Sequence, residues 1–221
     1  MTSAAFIQTR LLNRVNHRRL GAWSLLSMAA LLTTGCSLGL SRPAPVKHYY
    51  MLEVSTERAV QPPLFAMPLK VVGFEVAPPF EDRAFVIRLE EQRYEYDFYN
   101  EFFVSPRAMV TSRVSEWLAT RGVFSAVFPA SSTLDAPYAL EGLVTAMYGD
   151  FRKGASAVFT MQAFVTQTHT PERRVVLERS YSHEVFIADR SADSLSKGLS
   201  QAFQDCLLDL ERDLRGLQLA P

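Results

Sequence analysis

Between residues 155 and 187 apolar and polar side chains alternate along the chain. Ala157, Phe159, Met161, Ala163 and Val165 fall on one face, with Thr160, Gln162 and Thr166 on the other. That period of two describes a strand with one side against a core and the other in water. Thr170, Pro171 and Glu172 turn the chain, and Val175, Leu177, Tyr181, Val185 and Ile187 resume the alternation opposite Glu178, Ser180 and Ser182. Together with an earlier apolar run over 138–148, these segments predict a three-stranded antiparallel meander.

The pattern upstream predicts further strands. Residues 49–54 form a short first one, and Leu69–Val76 a second, rich in β-branched side chains and stopped by Pro78 and Pro79. Residues 84–89 and 94–98 read as a hairpin around the polar turn of Glu90, Glu91 and Gln92. Ser105 and Pro106 then suit a helix start, serine capping free amides and proline needing no amide partner. Val110, Val114, Trp117 and Leu118 recur at helical spacing, with Arg107, Arg113, Glu116 and Arg121 largely away from them and Gly122 as the C-terminal cap. A short strand over 123–128 closes at Pro129. The last element is a helix over 192–214, where Leu195, Leu199, Phe203, Cys206, Leu210 and Leu214 form an apolar stripe. Two striped helices and a one-sided sheet give an α+β fold, a two-layer sandwich of a mainly antiparallel sheet with both helices packed on one face. Cys206 on the stripe is expected to be a buried thiol rather than a nucleophile.

The first 36 residues break this pattern. Arg10, Arg14, Arg18 and Arg19 stand without an acid in residues 1–35, and the 13 residues 20–32 (LGAWSLLSMAALL) carry no charge. Such a run is short for a membrane span and right for the core of a signal peptide. Thr33, Thr34, Gly35 and Cys36 follow and resemble a lipobox, with Thr33 where leucine is usual. The expected organisation is a signal peptide over 1–35, a lipidated N-terminus and proline-containing tether over 36–47, and a single domain over 48–221. Cys36 is the expected lipidation site, the other readings of this segment being a plain secretory peptide cleaved elsewhere and an uncleaved N-terminal helix. Ser37 behind it, rather than aspartate, favours the outer membrane in lipoprotein sorting. Without the four arginines, 19 basic side chains face 23 acidic ones, so the mature chain offers no electrostatic footprint for nucleic acid.

Catalytic patterns are scarce. His17, His48, His169 and His183 lie on separate elements with no metal-ligand spacing, and neither GxGxxG nor GxSxG occurs. His183 and Glu184 point to opposite strand faces. The expectation is a non-enzyme with no cofactor and no metal. One segment exceeds background: residues 94–103 (YEYDFYNEFF) hold Tyr94, Tyr96, Phe98, Tyr99, Phe102 and Phe103, six aromatics in ten positions. They suit either packing under the first helix or an exposed contact surface, and different members can do each.

Several pieces in order carry a resemblance: the tyrosine-rich start at His48, Tyr49 and Tyr50, the run from Val71 to Pro78 (VVGFEVAP), Pro79 to Arg83 (PFEDR), Val86-Ile87-Arg88, Tyr94 and Tyr96 leading to Pro106, and Gly122-Val123-Phe124. The chain resembles the ABC-type transport auxiliary lipoprotein family, which includes the lipoprotein of the paraquat-inducible operon. It departs from relatives at Glu101-Phe102-Phe103, where tryptophan is frequent. The resemblance implies a non-catalytic, outer-membrane-anchored, periplasm-facing part of a lipid-transport system in which an MCE-domain protein forms the conduit. An MCE-domain partner, phospholipid and the membrane through the N-terminal lipid are the expected partners, with homo-oligomers left open. Arg83, Arg88, Tyr94, Tyr96, Phe98, Tyr99, Phe102 and Phe103 are the contact candidates. Two other readings stay open: an envelope assembly lipoprotein, and a periplasmic binder of a hydrophobic ligand in a deep cleft.

Overall fold

In a computed structural model of the chain, residues 46–55 and 62–219 are described; Cys36, the signal segment and most of the tether lie outside them. The elements are β1 (His48–Tyr50), β2 (Leu69–Val76), β3 (Ala84–Arg88), β4 (Tyr94–Phe102), α1 (Pro106–Arg121), β5 (Val127–Pro129), β6 (Tyr138–Asp150), β7 (Ser156–Gln167), β8 (Val175–Phe186) and α2 (Ala192–Arg215).

β6 is the spine of the sheet. Along one side it pairs antiparallel with β7, from Tyr138 opposite Gln167 to Asp150 opposite Ser156, and β7 pairs antiparallel with β8. Its other side is shared. β2 lies parallel to the first half, and β3 meets the far end at Gly149 and Asp150. β5 flanks β2, and β4 then β1 extend the sheet beyond β3. The expected α+β sandwich is therefore present, with a mixed sheet. The hairpin and the meander are antiparallel, whereas β1 pairs parallel with β4, β2 with β5 and β6, and β3 with β6. The crossovers from β2 and β3 to β5 and β6 run through α1, and that from β1 to β4 through β2 and β3.

Both helices cover one face. Ser105 Oγ accepts the Ala108 amide at 3.4 Å to start α1, and Gly122 ends it with φ of 64°, a left-handed turn that glycine adopts without steric cost. The whole expected stripe of α2 is buried against Ala157, Phe159, Met161, Ala163 and Val165 of β7, with the Phe159 and Phe203 rings 4.8 Å apart. Met109 joins Val110, Val114, Trp117 and Leu118 beneath α1. Arg215 Nη2 donates to the Arg121 carbonyl at 2.6 Å and ties the helix ends together. At Gly142 a Cβ would stand 2.3 Å from the Phe74 ring and 2.4 Å from the Gln162 carbonyl oxygen, so a bare backbone is what admits that ring to the core.

Some boundaries differ from the sequence reading. β1 is only three residues, and β5 begins at Val127 while Phe124 makes an isolated bridge to Phe65. A register shift after Val165 leaves Val175 51 % exposed rather than on the inner face. β4 runs on to Phe102, and its irregularity sets up the surface described next.

Candidate functional site

In the β3–β4 hairpin, Ala84 pairs with Glu101 and Val86 with Tyr96, so β3 advances two residues while β4 advances five, three more than a regular ladder. The surplus is a bulge organised by Asp97. Its Oδ1 accepts the amides of Tyr99 at 2.8 Å and Asn100 at 3.1 Å, and its Oδ2 accepts the Asn100 side-chain amide at 2.8 Å. A carboxylate that satisfies the turn's own donors makes the bulge a fixed feature rather than a loose loop. Phe98 and Tyr99 form its crest, 61 % and 52 % exposed, with rings edge-to-face at 5.3 Å.

The crest continues into a ridge along the sheet edge. Lys47 Nζ sits 5.2 Å from the Phe98 ring centre, Tyr49 meets Phe103 edge-to-face at 6.0 Å, and Arg83 lies 5.8 Å over Tyr49. Beneath them Glu101 is buried and takes Lys47 at 3.2 Å together with Arg83. One carboxylate thus fixes both cations against the rings, where each also gains a cation–π contact. Counting Asp97, the ridge carries two positive and two negative charges: it is aromatic and electrically balanced.

A second cluster lies on the helix-free face of the sheet. Tyr94 packs edge-to-face on Tyr148 at 5.6 Å with Arg88 5.3 Å from its ring, Phe80 stacks on Tyr148, and the Tyr96 hydroxyl donates to the Pro79 carbonyl at 3.3 Å. Arg88 donates to the Glu91 carbonyl at 2.7 Å and its carboxylate at 3.1 Å, and Arg152 bridges Glu91 to Asp150. Hydrogen bonds from Arg152 hold the carboxyls of Glu91 and Asp150 below their ordinary values, and burial raises the Tyr148 phenol.

The eight candidates therefore divide. Phe102 is a core residue, 1 % exposed with its ring 4.7 Å from Phe85, because it returns to the inner face after the bulge. Arg88 is a salt-bridged strand residue. Phe98, Tyr99, Phe103 and Arg83 form the ridge, and Tyr94 and Tyr96 belong to the other cluster. A regular strand would align Phe98 with Tyr94 and Tyr96; the turn at Asp97 separates them. Lys47, Tyr49, Glu101 and Tyr148 were not singled out by sequence, and only the tyrosine-rich start of β1 hinted at any of them.

Elsewhere the side chains offer an incomplete catalytic grouping. His183 Nε2 and Asp209 Oδ2 are 2.8 Å apart and Cys206 is near, but the thiol is fully buried and burial pushes it up to about 12. It stays protonated and weakly nucleophilic at neutral pH. Glu75 is paired with Arg107 at 2.6 Å, and Glu184 accepts from Ser156. Among the described residues no group of three His, Cys, Asp or Glu is placed to hold a metal ion. Two surface grooves are open to solvent, one along β8 near Val176 and Glu178, one between β1 and the start of α2 near His48 and Asp193. Neither is the enclosed apolar cleft that a hydrophobic-ligand binder needs. No helix among the described residues is long and apolar enough to cross a membrane.

Fold and site together define an α+β sandwich with one helix-covered sheet face and an ordered aromatic edge. No family model and no curated protein matches the sequence. The fold is similar to that of protein XCC0632 from Xanthomonas campestris, described as DUF330, with a TM-score of 0.65 and 16 % identity over 74 % of this chain and 92 % of that one. An uncharacterised protein of solved structure matches with a TM-score of 0.59 and 15 % identity over 76 % of this chain and 99 % of that one. Identities this low establish a shared fold.

Proposed function

We propose that the chain is a non-catalytic accessory lipoprotein, anchored through Cys36 to the periplasmic side of the outer membrane, that docks an MCE-type conduit for phospholipid or similar apolar cargo. The signal segment and Cys36 support the anchor, and the ordered family motifs support the transport setting. The observation that carries docking is the pre-formed aromatic surface of the β3–β4 hairpin. Tyr94 lies against Arg88 of the Arg88–Glu91–Arg152–Asp150 network, and the Tyr96 hydroxyl is held by the Pro79 carbonyl, so little freedom of these two side chains remains to be lost on association. A tether confines such a surface near the membrane and raises its effective concentration toward anything spanning the periplasm.

The Tyr94 and Tyr96 cluster is assigned to the protein partner. Tyr96 is 58 % exposed and Tyr94 44 %, so acidic replacements are tolerated by the fold. Tyr96→Glu is expected to reduce recovery of a co-expressed MCE-domain protein at least several-fold while thermal unfolding is unchanged. Undiminished recovery would place docking elsewhere. Cys36→Ser is expected to move the protein from membrane to soluble fractions; retention in the membrane would remove the anchor.

A further inference from the structure

The ridge of Tyr49, Phe98, Tyr99 and Phe103 has a different setting from the tyrosine cluster. Their exposures are 51 %, 61 %, 52 % and 61 %, and Val46 beside them is 72 % exposed. Grouped aromatics left in water at one edge call for a partner. The described chain enters the domain at this ridge: Val46 precedes Lys47, whose ammonium lies on the Phe98 ring, and His48 begins β1. Cys36 is ten residues before Val46, and at about 3.5 Å per extended residue that tether reaches roughly 35 Å at most. A lipid on Cys36 therefore leaves the ridge, where the described chain enters the domain, within reach of the bilayer.

We infer that the ridge is a membrane-contacting surface, whose aromatic rings settle into the headgroup zone of the bilayer that holds the lipid anchor. The inference rests on the lipoprotein reading and names the second partner of the proposed contact surface. Tyrosine suits that zone because its ring is apolar and its hydroxyl remains wet. Phe98 and Phe103 supply the less polar contacts, and Lys47 can lay its methylene stem along the surface with the ammonium outward. The charges bear on which bilayer property is read. Lys47 and Arg83 are balanced by Glu101 and Asp97, so attachment follows aromatic burial and not attraction to anionic lipid. A contact of this kind fixes the domain's orientation, directing the Tyr94 and Tyr96 cluster farther along the hairpin consistently toward a partner.

Depth-dependent quenching tests the idea on the full lipidated protein in phosphatidylcholine vesicles containing brominated lipid. Phe98→Trp places a reporter on the crest, and Phe186→Trp places one on the opposite sheet edge, where Phe186 is 84 % exposed. Trp117 is buried and gives a constant background. Phe98→Trp emission is expected to shift to the blue and to be quenched several-fold more than Phe186→Trp, with no change when salt is raised. Equal quenching at the two edges, or none at either while the protein still floats with vesicles, overturns the ridge as a membrane surface and leaves the anchor standing. Quenching abolished by salt overturns the aromatic basis. Failure of the wild-type protein to float overturns the lipoprotein reading and this inference with it. Phe103→Trp repeats the measurement should the first variant disturb the bulge.

Discussion

Two strands of the sheet, β7 and β4, treat most of their aromatic side chains in opposite ways. On β7, Phe159 is buried and meets Phe203 of α2. On β4, Tyr94, Tyr96, Phe98 and Tyr99 all remain exposed, although the segment is the more aromatic of the two. The difference lies in what faces each strand. α2 lies along β7 and β8 and covers their inner face, while Tyr94 and Tyr96 stand on the sheet face that carries no helix and a bulge rotates the crest of Phe98 and Tyr99 off the regular alternation. Aromatic density in a sequence thus reports available contact area; burial depends on whether another layer arrives to receive it. The helix-backed end holds the fold together, and the hairpin end presents a surface.

The strongest way to break this contrast is a pair of matched truncations. Phe203→Ala empties space between α2 and β7 and is expected to cost about 3–5 kcal/mol. Phe98→Ala removes an exposed ring and should stay within about 0.5 kcal/mol of wild type. Urea unfolding followed by circular dichroism measures both. Similar losses in the two variants would show that the crest is part of the core, and the docking and membrane readings would lose their surface.

What the sequence allowed to be read, and what it did not, follows the same division. Both helices, β2 and the meander were legible because a cap, a proline or a long run of alternation is a local signal. The stripe of α2 was correct in every named position, Cys206 included. The parallel entry of β1, β2 and β5 was not legible, since alternation describes a strand's faces and says nothing of its neighbours. The bulge escaped because a single carboxylate, Asp97, redirects the chain there, and Phe102 was consequently placed on the wrong side of the surface. Glu101 was hidden for another reason: its partners Lys47 and Arg83 are 54 and 18 residues away in sequence.

Glu101 sharpens the comparison at an intermediate size. Its side chain is 10 % exposed and pairs with two cations that are themselves 38 % and 44 % exposed. Removal frees those cations to return to water, so Glu101→Ala is expected to cost about 1–2 kcal/mol, less than breaking a fully buried pair. A larger consequence is expected locally. With Lys47 and Arg83 released from the rings of Phe98 and Tyr49, amide exchange should rise in β1 and the bulge while β7 stays protected. Uniform loosening of both regions would show that the hairpin edge and the helix-backed end are one cooperative unit.

The smallest effect reads the helix-backed end through pH. On the helix-backed end, the hydrogen bond from His183 holds the Asp209 carboxyl below the usual carboxylate range, opposed by burial and assisted by Arg212 at 2.7 Å. A carboxyl with a depressed folded-state value binds protons less readily than in the unfolded chain. Its contribution is complete above the ordinary carboxylate value and disappears as pH falls through the lowered one. Asp209→Asn removes that titration, so the variant should be modestly less stable near neutrality and should lose less further stability on acidification. Urea midpoints measured from about pH 6 down to about pH 2 would show the two curves converging. Curves that remain parallel would mean that the His183–Asp209 contact between β8 and α2 does not contribute to holding the helix on the sheet, and the pH dependence would have to come from other carboxylates, such as Asp150 beside Arg152.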